Sequence, residues 1–175
     1  MACLVEEGYA RTTTTAIQDR AGVSRGALTH QFRSKNELLT AAIAHLAHIR
    51  RSELVAAAVA SEAGDRIDAG LRLLWQTFNT DLFQAAVELW VASRTDDDLY
   101  AVLIESERAI ARAYSGNAVA IFGPVAEAKG FAAALDSVVI HMRGAAITDI
   151  LRRSSRTGQT IAECRAIVDA AVGGS

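Results

Sequence analysis

The sequence TTTTAIQDRAGVSRGALTHQFRSKNELL, residues 12–39, decides the fold of the first part of this chain. Ile17 and Ala21 are four residues apart and predict the inner face of a helix. Gly22 then supplies a turn, because it adopts backbone angles that other residues avoid. Ser24 is suited to cap a following helix, since its hydroxyl can accept a free N–H of the first turn. The stretch therefore predicts two short helices joined by a tight turn.

The second of these helices has an inner and an outer face. Leu28 and Phe32, again four residues apart, predict the inner face. Small, polar and basic residues occupy the outer face and its flanks: Arg25, Gly26, Ala27, Thr29 and His30. A second helix of this kind after a short glycine turn is typical of the helix-turn-helix motif, in which that helix enters the major groove of DNA.

The residue pattern of this region is more specific than its periodicity. It comprises Gly8-Tyr9, the threonine run, Ile17, residues 21–28, Phe32, Lys35 and Leu38. These residues resemble the DNA-binding domain of the tetracycline-repressor (TetR) family over residues 2–45, with the spacing kept throughout. Thr29 and Gln31 differ from the tyrosine and histidine that the family usually has there. The resemblance implies a helix-turn-helix DNA-binding domain over residues 1–45.

The resemblance also implies which residues bind DNA. By match to the family, Thr13 caps the first helix of the motif, with Thr14 as the alternative, and these hydroxyls can contact a phosphate. Arg25 is suited to a guanine edge or to a phosphate. Lys35 opens the next helix, where a cation is unfavourable without a nearby anion, and the family uses this lysine to bind phosphate. The full set is Thr13, Thr14, Ser24, Arg25, Gly26, Ala27, Thr29, His30, Gln31 and Lys35.

Composition favours an all-α protein with a basic head. The 175 residues include one proline, and 51% are hydrophobic, which is ample for a core. Residues 1–50 hold six Lys/Arg against four Asp/Glu and so carry a net charge of +2. The whole chain carries −2, so the remaining residues carry −4. A positive head suits a protein that meets phosphates. We predict a three-helix N-terminal head, followed by a helical body over residues 46–175.

Helix starts and stops are visible around the head. Residues 1–7 predict the end of a helix that Gly8 terminates. The family's first helix is longer, so we expect part of it to be missing from this sequence. Ser34 and Glu37 predict a capping box at the start of a long helix that ends near Gly64, within the break at residues 61–65.

The body pattern predicts further helices. We expect one from residue 99 to about Val119 and another over residues 131–153. A break at Gly158 and a capping box of Thr160 and Glu163 predict the start of the last helix.

The resemblance implies a function for this body. The last two long helices, over about residues 131–172, are expected to pair with their copies in a homodimer. A small-molecule inducer is expected to bind in the body and to release a pseudo-palindromic DNA operator, as in a ligand-responsive repressor. The candidate cavity residues, each of which can instead be plain core, are Trp75, Phe78, Trp90, Tyr100 and His141.

Other functions find little support in the sequence. No nucleophile–base pair, metal-ligand spacing or phosphate loop is visible, so we predict no enzyme activity, cofactor or metal. His45 and His48 can share a helix face, but further ligands are missing nearby. Cys3 and Cys164 predict buried thiols in a reducing cytosol. Without a membrane-length apolar run or a secretion signal, we expect a cytoplasmic protein without a membrane partner. The alternative is a helical interaction module that has lost DNA binding.

Overall fold

A computed structural model of the protein describes residues 2–60, 64–152 and 156–173. These residues fold into α-helices and two short 3₁₀ turns, without a β-strand among them, which confirms the all-α prediction. The helices are α1 Ala2–Arg11, α2 Thr14–Ala21, α3 Arg25–Gln31, α4 Lys35–Ala60, α5 Arg66–Phe78, α6 Asp81–Ala92, α7 Asp97–Ser115, α8 Ala118–Phe122, α9 Phe131–Arg152 and α10 Thr157–Val172.

Residue contacts divide the chain into two compact units. The first unit comprises Met1–Ile49 and Asp81–Arg112, and the second comprises Arg50–Thr80 and Ala113–Ser175. Residues 81–112 therefore share a unit with the helix-turn-helix region, although they are distant from it in sequence. The functional division after residue 45 stays a prediction.

The first unit has a core of aliphatic side chains from α1, α4, α6 and α7. Leu4, Leu89 and Leu99 are completely buried, and Tyr9 and Ile17 pack against this cluster from its edge. The buried members are Leu4, Leu39, Ile43, Ala85, Ala86, Leu89, Leu99 and Leu103. Burial of a leucine side chain stabilises a fold by about 1.5–3 kcal/mol, so this cluster attaches the helix-turn-helix region to α6 and α7.

The second unit has a core of larger side chains, contributed mainly by α5, α9 and α10. Trp75 on α5 is buried, and its indole N–H donates to the hydroxyl of Thr157 at 2.9 Å. Phe122 packs edge-on against Phe131 with 5.3 Å between ring centroids. Gly70 lies directly beside Phe122, so α5 approaches α8 closely.

Several predicted helix boundaries are confirmed. Gly22 ends α2 with φ 64° and ψ 28°, and α9 begins at Phe131. Three further predictions fall partly on residues outside the described ranges: Met1 at the start of the first helix, the break at 61–63, and Arg153 at the predicted end of α9.

The predicted helix that begins near residue 99 is present, but its predicted end at about Val119 is wrong. The helix α7 ends at Ser115, and α8 starts anew at Ala118. The side-chain amide of Asn117 donates to the carbonyl of Ala113 at 2.6 Å, which replaces the N–H that a continuing helix would supply.

The predicted start of the last helix is also wrong. Gly158 lies inside the first turn of α10, and Thr160 is a buried core residue. The N–H of Arg156 at the helix start donates instead to the buried carboxylate of Asp149 on α9, at 3.1 Å. A carboxylate from the neighbouring helix α9 therefore accepts the N–H at the start of α10, in place of a side chain from the predicted capping box.

Two predictions at the head are partly correct. Ser34 accepts the N–H of Glu37 at 3.1 Å, but the Glu37 carboxylate accepts from the N–H of Arg33, at 2.7 Å, and not from that of Ser34. Gly8 interrupts α1 with φ 76°, yet one more turn follows it, up to Arg11. The break therefore bends α1, and Tyr9 lies in the turn after the bend.

Among the described residues, the helix Phe131–Arg152 is the one that is long and apolar enough to cross a membrane, judged by length and composition alone. This is weak evidence for a membrane span. One face of this helix, including Val138 and Met142, is buried against protein, and the buried Asp149 binds Arg156.

Candidate nucleic-acid interface

The turn between α2 and α3 is built by local capping. The hydroxyl of Thr13 accepts the N–H of Ala16 at 3.1 Å, which identifies Thr13 and not Thr14 as the cap of α2. The hydroxyl of Ser24 accepts the N–H of Ala27 at 3.2 Å at the start of α3. Both caps confirm the prediction. They fix the angle at which α3 leaves the turn, because each helix begins at a defined residue.

The outer face of α3 is exposed to solvent. Leu28 and Phe32 are half-buried, as predicted for the inner face, whereas a Cβ built on Gly26 would meet no atom within 4 Å. The exposed candidates are Thr13, Thr14, Ser24, Arg25, Gly26, Ala27, Thr29, His30 and Gln31. A duplex approaching α3 would therefore meet these side chains and the bare backbone at Gly26 first.

Thr29 has its hydroxyl directed back to its own helix. The hydroxyl donates to the carbonyl of Arg25 at 2.9 Å, and its oxygen lies 3.3 Å from the carbonyl oxygen of Gly26. The oxygen can still accept a hydrogen bond, but its proton is used within α3.

Lys35 is half-buried and contacts Tyr9. Its ammonium donates to the main-chain carbonyl of Tyr9 at 3.2 Å and lies 4.0 Å from the centroid of the Tyr9 ring. The Tyr9 hydroxyl in turn lies 2.9 Å from Oδ1 of Asn36 and 3.2 Å from Oδ2 of Asp96. Lys35 is thus the one DNA-binding candidate that is not fully exposed.

Electrostatics around Tyr9 follow from these contacts. The pKa of Asp96 is lowered, first by the N–H of Leu99 and then by Asn36 and Tyr9, with the charge of Lys35 adding to the effect. Burial, and then the Asp96 charge, raise the pKa of the Tyr9 phenol. At neutral pH the site therefore contains a carboxylate, a neutral phenol and an ammonium group.

Two other basic residues of the head have protein partners. Arg20 forms a two-pronged ion pair with Glu6, at 2.5 and 2.7 Å. This bond lowers the pKa of the Glu6 carboxyl. Arg11 donates to the carbonyl of Glu7 at 3.0 Å. Arg25, in contrast, lies exposed on the outer face of α3 together with His30.

The ligand candidates lie in both units. Trp90 and Tyr100 belong to the first unit: the Trp90 indole donates to Glu107 at 3.1 Å, and the Tyr100 side chain is exposed. Trp75, Phe78 and His141 belong to the second unit. Trp75 is a core residue, whereas Phe78 is half-buried.

His141 is half-exposed and binds a carboxylate. Its Nε2 lies 2.8 Å from Oε2 of Glu163, whose other oxygen accepts from the Gln159 amide at 2.8 Å. The Gln159 amide, followed by His141, lowers the pKa of Glu163. The candidate cavity role of His141 stays a prediction. His45 and His48 are exposed, and no group of three or more metal-ligating side chains occurs within the described part of the chain.

Sequence reasoning missed the role of three residues around Tyr9. Glu88 on α6 accepts the N–H of Tyr9 at 2.6 Å, and Asn36 and Asp96 bind its hydroxyl. Asp96 was detectable only as a helix cap, since it accepts the N–H of Leu99 at 2.8 Å. Periodicity gives no signal for a contact between residues so distant in sequence.

Two short capped helices joined by a tight turn, with the second helix exposed, place this head in the class of helix-turn-helix proteins. The family described as "Bacterial regulatory proteins, tetR family" matches residues 1–42. The helix-turn-helix head of this chain is therefore similar to that family over residues 1–42.

Curated relatives agree with this assignment. An uncharacterized HTH-type transcriptional regulator of Mycobacterium tuberculosis is 36% identical over 98 residues, which cover 55% of this chain and 50% of the relative. A regulator with the same description from Mycobacterium bovis matches to the same extent. The chain thus spans about half the length of these relatives. No solved structure is significantly similar to it.

Proposed function

We propose that this protein is a ligand-responsive DNA-binding transcriptional regulator, acting as a repressor in the cytoplasm. The observation that carries the proposal is the exposed outer face of α3 in a tetR-family head, with Gly26 bare and Arg25 and His30 turned to solvent.

The proposed readout of DNA divides the exposed residues by chemistry. Arg25 donates to a guanine edge or to a phosphate, and Ala27 contacts a thymine methyl. Gly26 lets the backbone approach the groove. The remaining polar groups contact phosphates or base edges: Thr13, Thr14, Ser24, Thr29, His30, Gln31 and Lys35.

We propose that the protein binds a pseudo-palindromic operator as a homodimer through α9 and α10. The spacing of Ile140, Gly144, Ile147 and Leu151 places them on one face of α9, and all four are exposed. Leu151 is 85% exposed and Ile140 is 72% exposed, which is unusual for large apolar side chains. The neighbouring α10 exposes small residues on one face: Ala162, Ala166 and Ala170. A second copy would cover this apolar surface.

The inducer is proposed to bind in the body. Its candidate residues are Trp75, Phe78 and His141 in the second unit, and Trp90 and Tyr100 in the first. Binding there would favour a conformation in which the two heads no longer match the operator half-sites. Aromatic rings and a histidine paired with a carboxylate suit a ligand that is apolar and carries a polar group.

A DNA-binding experiment tests the proposal. The full chain is titrated against labelled duplexes from the DNA beside its own gene, and complexes are detected by gel shift. Arg25→Ala and Lys35→Ala are each expected to weaken binding by about 1–3 kcal/mol, or roughly 5- to 150-fold. Arg108→Ala is the matched control, because Arg108 is an exposed arginine of α7 that pairs with Glu105.

The outcomes separate the two candidate functions. Retarded duplexes with wild-type protein and with Arg108→Ala, but weakened binding by the two head variants, would support a DNA-binding regulator. Unchanged mobility of every fragment at low salt would favour the interaction module. One observation favours the interaction module as the second candidate function. The Thr29 hydroxyl donates its proton to the carbonyl of Arg25, so this proton is not available to a DNA phosphate.

A further inference from the structure

The ammonium group of Lys35 is held at a defined position in the free protein. It has three N–H donors. One donates to the carbonyl of Tyr9, and the group lies 4.0 Å from the centre of the Tyr9 ring, within range of a cation–π interaction. The carbonyl and the ring leave donor capacity on the ammonium for an anion.

Tyr9 itself is fixed from three directions. Its N–H donates to Glu88 at 2.6 Å, and its hydroxyl lies within hydrogen-bond distance of Asn36 and Asp96. The amide of Asn36 also donates to Asp96, at 3.2 Å. Gly8 permits this arrangement, because its φ of 76° turns the chain and a Cβ there would lie 3.0 Å from the Glu88 carboxylate. Tyr9 is thus bound by its backbone and by its side chain.

We propose that Tyr9 is a positioning residue that holds the Lys35 ammonium ready for a DNA phosphate. The inference rests on the proposed DNA-binding function and adds a residue that does not itself lie on the exposed face of α3. An unrestrained lysine loses side-chain freedom when it binds, whereas Lys35 has lost much of it beforehand.

The role predicts how substitutions combine. Tyr9→Leu removes the ring and the hydroxyl, and we expect it to weaken DNA binding about 2- to 10-fold, the cost of ordering one lysine side chain. In a Lys35→Gln background the same substitution should change affinity less than about 2-fold, because no ammonium is left to position. Tyr9→Phe retains the ring and the carbonyl, and in each background it should change affinity less than about 2-fold relative to the protein that carries Tyr9.

The measurement is fluorescence anisotropy of a labelled random-sequence duplex with the full chain, over a series of salt concentrations. Lys35→Gln should reduce the slope of log affinity against log salt by about one, as expected for one lost phosphate contact. Tyr9→Leu should weaken binding at each salt concentration without changing this slope, because the lysine still reaches the phosphate but must be ordered on binding.

A second measurement needs no DNA. Lys35 and Lys129 are the two lysines of the chain, and Lys129 is exposed. Ring currents of Tyr9 should shift the side-chain protons of Lys35 upfield of those of Lys129 in the NMR spectrum of the free protein. Tyr9→Phe should retain this shift.

The results discriminate between the inference and the proposed function. Equal effects of Tyr9→Leu with and without Lys35, an unchanged salt slope in Lys35→Gln, or coincident proton shifts of the two lysines would each overturn the positioning role alone. A wild-type chain that binds no duplex at low salt would overturn the proposed function as well. Circular dichroism of each variant shows whether a loss of binding reflects loss of fold.

Discussion

Gly70 leaves no room for a methyl group, so Gly70→Ala tests the packing of the second unit. A Cβ at this position would lie 2.5 and 2.7 Å from two ring carbons of Phe122 and 3.2 Å from a methyl of Ile121. Carbon atoms in contact prefer about 3.5–4.0 Å, so the ring would have to retreat by about 1 Å. Phe122 has little space for this, because it is buried and packs against Phe131.

Two effects of opposite sign set the expected result. Overpacking a filled core costs about 1–3 kcal/mol, and a buried ring as the clashing neighbour favours the upper part of that range. Alanine in a helix interior is about 1 kcal/mol more favourable than glycine. We therefore expect Gly70→Ala to lower the free energy of unfolding by about 1–2 kcal/mol, which for a chain of this size lowers Tm by about 2–8 °C.

Thermal and urea unfolding followed by circular dichroism measure this change. Gly158→Ala is the matched control, since Gly158 is an exposed glycine of α10 with no atom within 4 Å of its added Cβ, and its stability should be unchanged or slightly higher. In a Phe122→Leu background the clash is relieved, so Gly70→Ala should there be neutral or stabilising. A Gly70→Ala protein that melts at or above the wild-type temperature would refute this account of the packing.

Three further outcomes are expected. Ser24→Ala should lower the free energy of unfolding in urea by about 1 kcal/mol through loss of the α3 cap, while Ser24→Asp retains an acceptor and most of the stability. Ile140→Lys combined with Leu151→Lys should convert a dimer to a monomer in sedimentation velocity. The control Val91→Lys, at a site 62% exposed on α6, should leave the mass unchanged. A dimer in both cases would exclude the α9 interface. Burial raises the pKa of the Cys164 thiol to about 11 from an ordinary value near 9.0. The protonated thiol therefore contributes its full stability below pH 9, and that stability is lost as the pH rises towards 11. Its loss should approach about 1.4 kcal/mol per pH unit in urea titrations, and Cys164→Ala should abolish this part of the pH dependence.

Local chemistry explains why part of the site was predictable from the sequence. The caps of Thr13 and Ser24 and the left-handed turn at Gly22 depend on residues within five positions along the chain. Such interactions form whenever the short segment adopts its preferred conformation. The exposed outer face of α3 follows from the spacing of Leu28 and Phe32 in the same way.

Partners from other helices explain why the rest was not predictable. Thr160 and Glu163 have the spacing of a capping box, but Glu163 binds His141 and the buried Asp149 binds the N–H of Arg156 instead. The same limit applies to Tyr9 and Asp96, which are 87 positions apart. Only the three-dimensional packing brings these groups together, since none of these pairs is marked by a periodic pattern in the sequence.

The two units alternate along the chain, so a fragment that ends between them separates residues that pack together in the first unit. A polypeptide that stops at residue 49 would retain α1 to α3 but lack Leu89, Leu99 and Leu103, which surround Leu4 and Leu39 in the intact protein. Its apolar side chains would then face water, and Tyr9 would lose Glu88 and Asp96. The helix-turn-helix region therefore depends on α6 and α7 for its fold. An isolated N-terminal peptide should aggregate or remain partly unfolded, and co-expression with residues 81–112 should rescue its solubility.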